Sequence, residues 1–231
     1  MTQAQTAPDN KDIFEQTLNS ESPYYYPTLM MRYLAGDTTL SEKDYYYLYY
    51  GYAYSDQYSP LAPIPSEDQT LMALEAANAS PTEANMREII KYATETLKHD
   101  PFSPSNLNFL VYAYGAIGDT VNERINYDRL NKVLAAIMSS GTGMREDSPI
   151  HVIRFSHASD ILGTLGLTVT KRLVVSRTTE YITVANEKGR QLGKGYYFDY
   201  SRVFWGNQDN IPQPEHQWKI NDYPVGGYKK K

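Results

Sequence analysis

Cysteine is absent from this chain of 231 residues. Disulfides, thiolate nucleophiles and every cysteine-based metal site are therefore excluded together. The absence leaves the compartment open, because a cysteine-free chain tolerates reducing and oxidising surroundings alike. Long hydrophobic runs are missing too. The longest nearly apolar stretch, 109–118, falls far short of the roughly 20 residues that a membrane span needs, so no span is expected. Basic charge is scarce, at 22 Lys+Arg against 27 Asp+Glu, and no basic stripe alternates with aromatics. That argues against a nucleic-acid partner. Gly (14) and Pro (13) are present in ordinary proportion, which excludes collagen-like and low-complexity classes. With 41% hydrophobic and 21% charged residues, the chain can bury a core.

Signature motifs of catalysis are lacking as well. There is no G-x-S-x-G elbow and no H-E-x-x-H helix. Gly141-Thr142-Gly143 lacks the third glycine and the preceding strand of a dinucleotide loop. The run from Gly189 to Gly195 has the wrong spacing for a phosphate loop, and no Ser or Thr follows Lys194. His151 and His157 are roughly 20 Å apart along a straight strand, too far to share one ion. If the chain bends at Ser156, His157 and Asp160 meet as a surface pair on a short helix. No metal and no cofactor are expected.

Tyrosine is what the sequence has in excess, with 22 residues against 6 Phe and 2 Trp. Its ring is apolar and its hydroxyl needs a partner, which suits half-buried seams and binding surfaces. Charge is divided unevenly. Residues 1–140 carry 9 Lys+Arg and 18 Asp+Glu, and residues 141–231 carry 13 and 9, so the two halves attract. The small, polar stretch from Thr2 to Pro8 resembles the first residues of a mature chain just past a signal-peptide cleavage site, which points to export to the periplasm or cell surface.

Helix-start signals recur through the amino-terminal half. Ser22-Pro23 and Ser103-Pro104 place a capping hydroxyl before a first-turn proline. Thr39 with Glu42, Ser66 with Gln69, Ser80 with Glu83, and Thr120 with Glu123 fit the capping box. Met86, Ile89, Ile90, Ala93 and Leu97 form one apolar stripe, and Val121, Ile125, Leu130, Val133, Leu134 and Ile137 form another. Short gaps between these starts describe antiparallel helical hairpins.

After Gly141 the stripe disappears. Segments 150–155, 168–175, 177–185 and 195–204 are rich in Val, Ile, Thr, Tyr and Phe and predict strands, with a short helix at 158–165. The expected fold class is α+β: helical hairpins over 1–140 packed on a small antiparallel sheet over 141–205. An irregular tail over 206–231 either wraps back through Trp218 and Tyr223 or frays, and the whole forms one continuous unit.

Two resemblances add to this reading. Leu107, Leu110, Val111, Tyr114 and Gly118, with Asp100-Pro101 before them, resemble the tetratricopeptide repeat over 68–138. Ile89 stands where that family has a small residue, and the 34-residue period is not clean upstream. Ser22-Pro23-Tyr24-Tyr25-Tyr26-Pro27, Arg32 to Asp37, Leu48 to Tyr52, Tyr58-Ser59-Pro60 and the Tyr197-Phe198-Asp199 strand together resemble a Bacteroidetes family, domain of unknown function 4919. That resemblance implies a bacterial, often exported protein and brings no catalytic residues with it.

Candidate sites centre on the tyrosine block. On a helix, Tyr45, Leu48, Tyr49 and Tyr52 share one face, while Tyr46, Tyr50 and Tyr54 share another. The first face reads as core and the second as a Tyr-rich groove. Ser105, Asn108 and Tyr112 fall on the concave side of a repeat-like helix, where peptides bind. The leading reading is a non-enzymatic module for a protein or peptide partner. The alternative is a glycan-binding or glycan-hydrolysing protein, with Glu180 and Asp199 as an acidic pair across adjacent strands. Asp37-Thr38-Thr39 and Asp119-Thr120-Val121 read as helix caps or as short O-glycosylation signals.

Overall fold

A computed structural model describes residues 5–206. The Trp218 and Tyr223 segment and most of the tail lie outside the described residues. Among the described residues, seven α-helices precede the sheet: α1 (Asn10–Leu18), α2 (Tyr26–Leu34), α3 (Glu42–Gly51), α4 (Ser66–Ala79), α5 (Glu83–Leu97), α6 (Pro104–Ala116) and α7 (Thr120–Met138). A 3₁₀ turn, Tyr52–Tyr54, extends α3. Helices α4, α5, α6 and α7 pack each on the next, and α3 lies between α7 and the α1–α2 pair.

The carboxy-terminal part holds β1 (Ile150–His151), α8 (Phe155–Thr164), β2 (Leu167–Val174), β3 (Thr179–Asn186) and β4 (Gln191–Asp199), then a 3₁₀ segment, Ser201–Gly206. Strand order is β1-β4-β3-β2. The class is α+β, with one correction to the sheet. It is mixed rather than antiparallel, because β1 pairs in parallel with β4. The strand expected over 150–155 shortens to two residues. Arg154 is still extended, but Phe155 opens α8, so the β-rich composition there serves a helix start. The last expected strand ends at Asp199, whose carboxylate accepts the Ser201 N–H and turns the chain into the 3₁₀ segment.

Cap positions moved wherever several short polar residues competed. Thr39 is captured by Asp37, so Ser41 caps α3 instead, in a complete capping box with Asp44. Ser80 terminates α4 by donating its N–H to Ala76, which leaves Thr82 to cap α5. Asp119 caps α7 in place of Thr120, and Tyr25 rather than Ser22 precedes α2. Ser66 begins α4 without capping it. Ser103 caps α6, with Pro104 in its first turn. A further helix, α1, is capped by Asp9, a start that the sequence pattern alone did not bring out.

A single cluster of buried side chains runs across both parts. It joins Leu48 of α3, Val133 of α7, Ile161 and Leu162 of α8, and Ile182, Val184 and Phe198 of the sheet. A smaller cluster seals α4, α5 and α6.

Candidate functional site

The tyrosine block is first of all a structural brace. Tyr45, Tyr47, Tyr49, Tyr50 and Tyr52 are all buried. Several hydroxyls of this block and of nearby tyrosines reach backbone carbonyls remote in sequence. Tyr50 donates to the His151 carbonyl (3.0 Å), Tyr52 contacts the His99 carbonyl (3.2 Å), and Tyr58 contacts those of Ile153 (2.7 Å) and Arg202 (2.9 Å). Tyr33 donates to the Pro101 carbonyl at 2.6 Å. Phe would leave these buried acceptors unsatisfied, which explains why tyrosine replaces it so often here.

At the centre, Tyr49 joins three chain segments. Its hydroxyl oxygen accepts the Ile153 N–H (3.2 Å), so its one hydrogen is directed to His157 Nδ1 (2.8 Å). His157 Nε2 then carries the proton donated to Asp100 (3.0 Å), and Arg154 lies beside the same carboxylate at 3.6 Å. All four side chains are buried, so this relay holds the helical and β parts together and is closed to a ligand. His157 is thus an interior residue, not half of a surface pair with Asp160. Asp160 instead receives the Ser105 hydroxyl at the start of α6, and burial raises its carboxyl above the usual range.

The sequence-predicted binding face divides. Tyr50 is fully enclosed, with the Arg202 guanidinium stacked 4.9 Å from its ring centroid, and is removed from the candidates. Tyr46 lines a cleft of about 290 Å³ with Asp9, Lys43 and Ala135. Tyr54 lines a larger groove of about 730 Å³. Ser105 is occupied by Asp160, while Asn108 and Tyr112 are exposed on α6 and line neither cleft. Glu180 and Asp199 do not converge. Glu180 stands opposite Phe198 and Asp199 opposite Thr179 in the β3–β4 register, which puts the two carboxylates on opposite sheet faces. Glu180 pairs with Arg172 (3.0 Å), and Asp199 holds His151 (3.1 Å). The acidic pair is not formed.

The larger groove is built from α1, α2 and the end of α3. Gly51 makes the close approach possible: a Cβ there would sit 2.7 Å from Thr17 Cγ2, nearer than packed atoms tolerate. Helix α2 buries Leu29 and Tyr33, packs the half-buried Tyr26 and Met30 against the core, and turns Met31 and Leu34 outward. Met31 and Leu34 are about two-thirds exposed, at 66% and 65%, and Leu18 of α1 is 49% exposed. Tyr25, Tyr26 and Met30 form the wall with Tyr54, and among the described residues Asp56 is the one charged member of the lining. Burial pushes the Tyr54 hydroxyl up to about 12 and Tyr26 higher still, so the tyrosines present neutral hydroxyls. Tyr54 already donates to the Asn10 carbonyl (3.0 Å).

Such a lining offers apolar side chains with a few polar groups at Ser55, Asp56 and Gln57. Two adjacent methionines give it adaptable, polarizable contact. Sequence reasoning missed Leu18, Met30, Met31 and Leu34. The available signal was α2 itself, whose apolar residues 29, 30, 31, 33 and 34 are too many for a single buried stripe. Among the described residues no group of three or more His, Cys, Asp or Glu is placed to hold a metal ion, and no helix is long and apolar enough to cross a membrane.

Fold and groove together define a class: an α+β chain whose tyrosine-braced helical layer carries an apolar surface groove. The chain belongs to the family described as domain of unknown function (DUF4919), which it matches over residues 11–208. Neither curated proteins nor solved structures provide a match.

Proposed function

We propose that this chain is a protein- or peptide-interaction module whose docking site is the α1–α2–α3 groove. The observation that carries the reading is the exposed Leu18–Met31–Leu34 surface beside three tyrosines in one groove of about 730 Å³. Contiguous apolar surface of this kind marks a site of association. The favoured ligand is a polypeptide segment with two or three aliphatic or aromatic anchors. The lining is dominated by aliphatic and thioether side chains, and its polar side chains lie at Ser55, Asp56 and Gln57. A hydrolytic glycan role loses its support with the acidic pair. Helices α4–α7 read as degenerate tetratricopeptide hairpins.

A displayed peptide library panned against the full chain tests the groove. Enriched peptides are expected to carry apolar anchors and to lose affinity about 30-fold or more on Met31→Asp or Leu34→Asp, the loss typical of a central anchor. Both residues are exposed, so circular dichroism should report an unchanged fold. Binders indifferent to both changes, or a glycan whose binding depends on Tyr54, would refute the proposal.

A further inference from the structure

The helical stack ends on α4, and its outer face differs from that of its neighbour. Thr70, Ala73 and Ala77 form the stripe that α4 buries. On the other side stand Asp68, Leu71, Met72 and Glu75, with Leu71 56% and Met72 67% exposed. A helix that closes a stack ordinarily shows water a polar face, because no further layer covers it. This one shows two large apolar side chains at adjacent positions.

Charge around them is one-sided. Helix α4 contains Glu67, Asp68 and Glu75 and no Lys or Arg. Helix α5 also has three surface glutamates, but each is neutralised within the helix or at its end: Glu83 by Arg87 (2.6 Å), Glu88 by Lys91 (3.5 Å) and Glu95 by Lys98 (2.6 Å). Among the described residues, no ion pair involves Glu67, Asp68 or Glu75. Glu67 is partly desolvated and lies in the field of Arg154, which leaves Asp68 and Glu75 as the acidic rim of this face. An apolar centre beside them selects for a complementary surface, apolar at its centre and basic at its edge.

We infer that the outer face of α4 is a second docking surface, which takes a basic amphipathic helix of a partner protein. The partner's aliphatic residues would cover Leu71 and Met72, and its Lys or Arg residues would meet Asp68 and Glu75. A second copy of this chain fits less well, because a two-fold pairing of α4 on α4 sets acidic rims against each other.

The probe is a fluorescein-labelled Leu/Lys amphipathic peptide of about 18 residues, roughly five helical turns, titrated by anisotropy against the full chain. A Leu/Glu peptide of the same pattern is the control. Binding of the Lys peptide alone is expected, weakening as salt rises. Leu71→Ser with Met72→Ser should abolish it. Asp68→Asn and Glu75→Gln together should weaken it about fivefold to tenfold and flatten its salt dependence. Met31→Asp in the α2 groove should leave it unchanged, which keeps this surface separate from the first. Equal binding of the Glu peptide, indifference to the Leu71/Met72 change, or dimerisation of the free chain that this change removes would each overturn the inference. Because the altered side chains face solvent, an unchanged melting curve verifies that loss of binding is not loss of fold.

Discussion

Removing one oxygen atom from the centre of the molecule should cost more than removing the same atom elsewhere on the same helix. Tyr49→Phe keeps the ring and its edge contacts with Tyr50 (4.9 Å) and Phe102 (6.1 Å). It deletes the acceptor of the Ile153 N–H and the donor to His157 Nδ1. Both orphaned groups are buried where water cannot replace the lost partner. An unsatisfied buried polar group costs about 1–3 kcal/mol, so two cost about 2–6, less the relief of no longer burying the hydroxyl. A net loss of about 2–4 kcal/mol is expected, a large share of the roughly 5–15 kcal/mol typical of a domain. Tyr47→Phe is the matched control. Its hydroxyl donates to Asp12 (2.7 Å), which is only half-buried and can turn to water, so the loss should be about 0.5 kcal/mol. Urea unfolding measures both, with unchanged slope showing that the unfolded state is the same. A loss below about 1 kcal/mol for Tyr49→Phe, or equal losses for the two variants, would refute the relay as the link between the two parts.

Two further predictions concern close packing and pH. Gly51→Ala forces Thr17 away from α3 and should cost about 1–3 kcal/mol, with a weakened affinity for groove-bound peptide. Wild-type stability in the variant would show that α1 does not rest on that approach. Burial of Asp199 opposes its ionisation, yet hydrogen bonds from His151 and Ser201 prevail and hold its carboxyl down to about 2. Since the folded value lies below the ordinary one, its contribution is complete above about pH 4 and is lost as pH falls toward 2. That contribution is about 2 kcal/mol. Asp199→Asn should remove this part of the acid dependence in urea titrations at pH 5, 4, 3 and 2, and parallel profiles would exclude it.

What the sequence revealed depended on how local the determining forces were. Tyr45–Tyr54 announced a helix through its own spacing, and Ser103-Pro104 announced α6 because no rival cap stood nearby. At Thr39 and Ser41 the choice turned on Asp37, which captured one hydroxyl and released the other, a competition that spacing cannot rank. The parallel pairing of β1 escaped notice because two residues carry no periodicity. The family resemblance proved sound, since it rested on several separated motifs at once. The division of tyrosines into interior and groove was least legible. It depends on the carbonyls of His99, Pro101, His151, Ile153 and Arg202, which lie 47 to 144 residues along the chain from the tyrosines that reach them.

That dependence also explains why the best candidate surface lies one helix away from its strongest sequence signal. Helix α3 is surrounded by turns, a short strand and a 3₁₀ segment that offer backbone carbonyls, and tyrosine is the side chain that fills space while supplying a donor. Once α3 is committed to that role, its hydroxyls are spent: those of Tyr50 and, in the 3₁₀ turn that extends it, Tyr54 both end on protein carbonyls. Helix α2 has no such obligation. It is nine residues long and anchored by Leu29 and Tyr33, with Tyr26 and Met30 half-buried beside them, while Met31 and Leu34 face water. Large apolar side chains exposed beside half-buried tyrosine rings are the observation on which the proposed docking site rests.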